Sequence, residues 1–263
     1  MRRLGVTRMR LLRRLRGSER PQSLPERALR ERRSPPSVLT SWLRQGLRSG
    51  MCALCRVAHK ADREYIWHFF DEGADSGDQI DRVRAAYGFC AEHIEMLRRL
   101  EIEGMKSTLA ISTMFADTLK GVVAQLEALS SDQPFRRAQC PACANRDELL
   151  RANAEYLLDQ LATSTGYRDK FETSPGLCFP HFELAWNLAP SRLDRELLLA
   201  AQRRAAHALF QEVSEHVRKH DDKYRHEPRG AERDSWQRAI FLTAGWPPPA
   251  KTAGEPEQDS TRG

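Results

Sequence analysis

The chain has 263 residues, of which 40% are apolar and 30% charged, and no apolar run approaches the ~18 residues of a membrane span. That length supports one large core or two small ones and argues against an integral membrane protein. The net charge of +6 is uneven: residues 1–50 hold fourteen arginines against three glutamates, which leaves residues 51–263 at −5, the wrong sign for a nucleic-acid-binding surface.

Residues 1–48 are read as a basic, disordered tail, because S-L-P-E-R and R-S-P-P-S interrupt a segment with too little apolar surface to fold. A basic arm for nucleic acid or an acidic lipid surface is the second reading, and a transit sequence the third. No apolar stretch follows the arginines, so a secretory signal is not indicated, and the expected location is cytoplasmic.

From residue 49 onward the sequence repeats itself. The six cysteines are Cys52, Cys55, Cys90, Cys140, Cys143 and Cys178, and a shift of 88 carries the first three onto the last three. The same shift carries His93 onto His181, Asp81 onto Asp169, Gly88 onto Gly176 and Leu100 onto Leu188. Each unit reads C-x2-C, thirty-four residues, then C-x2-H.

Helical periodicity surrounds these motifs. In unit one (49–130), Trp67, Phe69 and Phe70 are expected in the core. A closing helix over about 105–130 places Met105, Leu109, Ala116, Leu119, Val123 and Leu126 on one side, with Ile111, Phe115 and Val122 beside them. In unit two (136–227), Leu149, Leu150, Ala154, Tyr156, Leu157 and Leu161 form one apolar face. Phe182, Ala185, Trp186 and Ala189 form another, and a helix over about 192–224 runs through Leu198, Ala201, Ala205, Leu209, Val213 and Val217. Gly88 and Gly176 precede the third cysteine of each unit, at a turn that tolerates positive φ. Residues 230–246 are read as a docking helix, capped at Asp234 or Ser235, seated through Trp236, Ile240 and Leu242 and ended by Gly245. Residues 247–263 are read as a second disordered tail. Strand signals are lacking, so the fold class is all-α: a tandem two-unit helical repeat bundle, each unit stapled by a Cys3His metal site.

Three thiolates and an imidazole are a structural zinc set. In C-x2-C and C-x2-H the ligands lie three apart, on one face of a helix start. Pro141 and Pro180 fall where a helix begins, and two helix N-termini aimed at a site of about −1 charge stabilise it. Disulfides do not account for three cysteines per unit or for the repeating histidine. An iron–sulfur cluster remains an alternative to two zinc ions per chain. Local closure costs roughly 1 kcal/mol less than long-range closure. Cys52, Cys55, Cys90 and His93 are therefore expected to form one site, and Cys140, Cys143, Cys178 and His181 the other. The exchanged pairing fits the spacing equally well.

Other polar residues have plainer readings. Glu95 and Glu183 stand two positions after the histidines, pointing away from them, and suit a first helical turn. His59, His207, His216, His220 and His226 do not repeat, and His216 and His220 lack the glutamate of H-E-x-x-H.

The tandem C-x2-C and G-x-C-x2-H pairs, with S-W-x-R-A near the end, resemble a family of uncharacterised bacterial proteins sharing C-P-x-C and G-F-C-x-x-H. Cys140-Pro141-Ala142-Cys143 and Gly88-Phe89-Cys90 through His93 match those motifs, while Ala53 stands where the proline is usual. The resemblance covers about 50–246 and brings no activity with it. No nucleophile–base arrangement, phosphate loop or carboxylate pair is evident. The expectation is a non-enzymatic zinc-stabilised helical protein that binds a protein partner. The alternatives are an iron–sulfur or thiol-based redox or metal-responsive protein, and a nucleic-acid-binding regulator using the basic arm of residues 1–48.

Overall fold

The computed structural model describes residues 37–69, 77–100, 109–132 and 134–247. The expectations for most of the two tails, for Phe70 and for Met105 fall outside them. Among the described residues the chain is all-helical: α1 (Ser37–Gly46), α2 (Ala53–His68), α3 (Gly77–Ala85), α4 (Ala91–Arg99), α5 (Leu109–Ala128), α6 (Pro141–Thr163), α7 (Thr165–Glu172), α8 (Phe179–Leu188), α9 (Arg192–Arg218), a 3-10 turn (Ala231–Asp234) and α10 (Ser235–Ala244). Helices α6, α7 and α8 begin 88 residues after α2, α3 and α4.

The centre of the fold is the pairing of α2 with α6. Helix α2 buries Leu54, Val57, Ala58, Ala61 and Asp62 on one stripe, and α6 buries Leu150, Ala154, Leu157, Leu158 and Leu161 on another. Helix α1 lies across both, α8 and α9 pack on α6, and α10 packs on α8 and α9. The larger core joins Leu54 and Val57 to Leu157, Phe171, Leu177 and Leu198. The smaller joins Ile66, Phe69, Val83, Phe89 and Leu97 to Ala142, with Phe69 and Phe89 edge to face at 5.2 Å between ring centroids. Each core therefore draws on both sequence units. Fully burying a Leu or Val side chain contributes about 1.5–3 kcal/mol, so this shared packing outweighs small differences in loop closure.

Caps define the helix ends. The Ser164 hydroxyl accepts from the Tyr167 amide at 3.3 Å, starting α7. At the start of α9, Ser191 Oγ accepts from the Asp194 amide at 3.2 Å, and Asp194 Oδ2 accepts from the Ser191 amide at 3.1 Å, a reciprocal box.

Several expectations are corrected. The segment assigned to a disordered tail ends in α1, which buries Leu43, and in the turn after it, where Leu47 is also buried. Its stripe is short, but α2 and α6 cover it. Gly46 sits so close to Ala53 that a Cβ there would lie 2.6 Å from the Ala53 Cα. Phe69 is buried as expected, whereas Trp67 is exposed. Of the three residues expected to seat α10, Leu242 is buried, while Trp236 and Ile240 face outward. Val217 on α9 is also exposed. On α5, Leu109, Leu119, Val123 and Leu126 are exposed, and Ile111 and Met114 are the residues that pack inward.

Candidate metal centres

The first cysteine of every motif is a helix N-cap. Cys52, Cys90, Cys140 and Cys178 precede α2, α4, α6 and α8, and each carbonyl accepts the first helical hydrogen bond, at 2.7–3.2 Å. No side-chain oxygen caps these four helices. A sulfur at a helix N-terminus is favoured in its negatively charged form by the helix dipole. Pro141 and Pro180 lie within the first two positions of α6 and α8, where a missing N–H is no loss. The two repeated glycines behave as the sequence requires. Gly88 has φ +98° and Gly176 φ +78°, and a Cβ at Gly176 would stand 2.9 Å from Gln202 Oε1. Gln202 holds that turn by accepting from the Leu177 amide at 2.9 Å and donating to the Leu177 carbonyl at 2.8 Å.

All eight predicted ligands are brought into two groups of four, but not in the expected pairing. Cys52 and Cys55 meet Cys178 and His181, whereas Cys90 and His93 meet Cys140 and Cys143. Each centre takes its C-x2-C from one unit and its C-x2-H from the other. The prediction that each unit closes its own site is therefore wrong. Loop closure entropy is too small to decide the pairing. The inner centre closes 47 positions, from His93 to Cys140, at a cost about 0.3 kcal/mol above that of a 35-residue loop. The outer centre closes 123 positions, from Cys55 to Cys178, about 1.1 kcal/mol above the same reference. Burial between α2 and α6 exceeds both.

The donor atoms of each group lie within 4.8 Å of one another. In the outer centre, His181 Nδ1 is 3.5, 3.3 and 3.2 Å from the sulfurs of Cys52, Cys55 and Cys178, and Cys55 and Cys178 are 3.5 Å apart. In the inner centre, His93 Nδ1 is 3.1, 3.6 and 3.4 Å from Cys90, Cys140 and Cys143, with Cys90 and Cys143 at 3.6 Å. A tetrahedral zinc ion with bonds of about 2.3 Å to sulfur and about 2.0 Å to nitrogen has edges of about 3.8 Å between sulfurs and about 3.5 Å from sulfur to nitrogen. The donors fit a single ion. The six cysteines are free thiols, which removes the disulfide alternative.

The thiols show why a cation belongs there. Burial pushes Cys52 up, and burial with the neighbouring Cys90 and Cys140 pushes Cys143 up to about 12. Contact with Cys178 raises Cys55 to about 12, while Cys178 is driven far down by hydrogen bonds from Cys52 and Cys55. Burial also raises Cys90, but hydrogen bonds from His93 and Cys143 outweigh it and bring the thiol to about 7. Buried sulfurs in mutual contact repel one another as anions, so without a cation they cannot all be thiolates together. A divalent ion removes that conflict.

Beyond the ligands, the centres differ. His93 Nε2 lies 2.9 Å from Asp62 Oδ1, with both side chains almost fully buried. Arg146 reaches Asp62 at 3.1 Å and Glu92 at 3.2 Å, and also approaches Cys143 Sγ at 3.8 Å. Burial lowers the affinity of His93 for a proton, yet Asp62 more than offsets it and lifts the imidazole to about 9. A carboxylate in this place fixes the ring so that Nδ1 faces the sulfurs. The outer centre is instead covered by the end of α10. The Trp246 amide donates to Cys55 Sγ at 3.3 Å, and His59 Nε2 donates to the Trp246 carbonyl at 2.8 Å. Gly245, at φ +102°, brings its backbone over the sulfurs, and a Cβ there would lie 3.8 Å from Cys55 Sγ and 3.9 Å from Cys178 Sγ. Glu95 pairs with Arg98 and Arg99 at the surface; neither it nor Glu183 lies in a first helical turn, the acid of the first turn of α4 being Glu92 and α8 having none. The His216 and His220 rings have centroids 4.5 Å from each other and are tilted at 57°, and neither residue belongs to a centre.

The sequence reading missed Asp62, Arg146, His59 and Trp246. One signal was present: Asp62 is a lone acid on the apolar stripe of α2. Trp246 and His59 carried none, because their role depends on α10 returning to the start of α2.

No curated protein and no solved structure matches the chain. One family model does, over residues 47–249, so both centres and the covering segment lie within the match, and the chain belongs to DUF6062, a family of unknown function.

Proposed function

We propose that the protein is a non-enzymatic, cytoplasmic helical module, held together by two structural zinc ions and serving to bind other protein chains. The observation that carries this reading is the closed Cys3His set of each centre, whose donors all lie within 4.8 Å. Four protein ligands leave no position for water or substrate, so the ion contributes folding energy rather than Lewis-acid catalysis. Donors in such mutual contact suit one ion better than the larger body of an iron–sulfur cluster. The reduced thiols suit a reducing compartment. Among the described residues no helix is long and apolar enough to cross a membrane. Phe210 and Val217 on α9 and Trp236 and Ile240 on α10 are exposed apolar side chains of the kind that protein interfaces use.

Elemental analysis of protein purified without added metal tests the reading. The expected result is two zinc ions per chain, no absorbance near 400 nm, and loss of helical signal on chelation. Iron with acid-labile sulfide, or an unchanged fold after complete metal removal, refutes it.

A further inference from the structure

Helix α5 is built unlike its neighbours. Its inner side is fixed to the body of the fold: Ile111 and Met114 join the smaller core, Thr118 is buried, Asp117 Oδ2 accepts from Arg84 at 2.6 Å, and Tyr87 donates to Gln125. At about 100° per residue, the opposite side presents Ala116, Leu119, Val123 and Leu126. All four are exposed, with Leu119 at 60%, Val123 at 51% and Leu126 at 53%. The steps between them are three, four and three residues, the alternation of a two-helix seam. A surface helix resting on one partner needs one apolar stripe, and α5 has two.

The flanks of the outer stripe indicate what covers it. Lys120 and Glu127 lie on one side, seven residues apart and so at the same position of successive heptads. The other side carries Val122, with Leu129 just past the end of the helix. When a helix pairs with an antiparallel copy of itself, equivalent flanking positions face one another across the two-fold axis. Lys120 then opposes Glu127 of the partner subunit, and the exchange occurs twice. The apolar flanks meet in the same way. The stripe is thus complementary to itself in one orientation.

We infer that α5 is a dimerisation helix, pairing antiparallel with α5 of a second copy of this chain through Leu119, Val123 and Leu126, with Lys120 and Glu127 setting the direction. This surface lies apart from both metal centres and does not depend on their occupant.

Sedimentation velocity on the full-length, metal-loaded protein tests the inference. The wild type is expected to sediment as a dimer at tens of micromolar, and Val123→Arg as a monomer with unchanged metal content and helicity. Lys120→Glu turns two attractive contacts into two repulsive ones and is expected to weaken the dimer by up to about tenfold. Lys120→Glu combined with Glu127→Lys is expected to restore it to within about twofold, which a parallel pairing does not allow. A wild type that stays monomeric to about 200 µM, as when another segment of the same chain covers the stripe, overturns the inference. So does a dimer indifferent to Val123→Arg, or one that the charge exchange fails to restore.

Discussion

The crossed pairing of ligands can be tested by counting metal ions in double variants. Cys55→Ser alone removes one thiolate from the outer centre and leaves the inner centre with four ligands, so one tightly held ion per chain is expected. Adding His181→Ala strikes the same centre again and still leaves one ion. Adding His93→Ala to Cys55→Ser damages the inner centre as well, and neither ion is held tightly. Pairing within each sequence unit predicts the reverse, with Cys55→Ser/His181→Ala losing both ions and Cys55→Ser/His93→Ala keeping one. The stability cost can also be worked out. Treated as a cross-link on the unfolded chain, a closure of 123 positions contributes about 5 kcal/mol and one of 47 positions about 4 kcal/mol. Either is a large share of the 5–15 kcal/mol that holds a typical domain together. Melting temperature should therefore fall sharply with the first substitution and little further with the second in the same centre. Metal analysis after gel filtration, with thermal unfolding followed by circular dichroism, reads both quantities. One ion retained by Cys55→Ser/His93→Ala, with none in Cys55→Ser/His181→Ala, refutes the pairing.

Asp62→Asn is expected to weaken metal binding at the inner centre by about 10- to 100-fold, because His93 loses the carboxylate that orients its ring. Competition with a chromophoric chelator should show one site weakened and the other unchanged; equal affinities at both sites would contradict this. Gly245→Ala places a Cβ at φ +102°, a conformation costing about 1–3 kcal/mol for an ordinary residue. Its expected effect is faster metal release from the centre beneath Trp246 alone, read by stopped-flow chelation. Unchanged release rates there would separate the covering segment from the metal.

The helices and the ligand types were legible because local chemistry determines them. Cys52, Cys90, Cys140 and Cys178 are N-caps wherever their helices go, and Gly88 and Gly176 need positive φ whatever packs above them. The partner of each motif was not legible. Spacing expresses only chain entropy, and that term separates the two pairings by about 1.4 kcal/mol in all. The decision rests on the facing stripes of α2 and α6, and periodicity shows that a stripe exists without saying which other stripe it meets. Helix α5 fails the reading for the same reason. Leu119, Val123 and Leu126 have ideal spacing for a buried face, and the structure gives the inner side to Ile111, Met114 and Thr118 instead. Trp236 and Ile240 show that a large apolar residue on a docked helix need not be on its docked side.

The crossed arrangement also changes what the metal ions do for the fold. Two ions closing each unit separately would stabilise two small bodies, whose mutual packing would then rest on side chains alone. Here the inner centre ties α4 to α6 and the outer centre ties α2 to α8, so each ion spans the boundary that the 88-residue shift defines. Both ions reinforce one contact, the packing of α2 on α6. Asp62 strengthens the link, since it stands on α2 but supports His93 of α4 and meets Arg146 of α6. The differing surroundings follow from this geometry. The inner centre lies beside the polar break in the α2 stripe and takes a charged support. The outer centre lies at the start of α2, where α10 returns, and takes backbone cover from Gly245 and Trp246. Near-identical ligand motifs are thus set in environments that the repeated sequence does not share, because the shift of 88 puts Leu150 in place of Asp62 and Ala58 in place of Arg146, while Gly245 and Trp246 follow α10, outside both units.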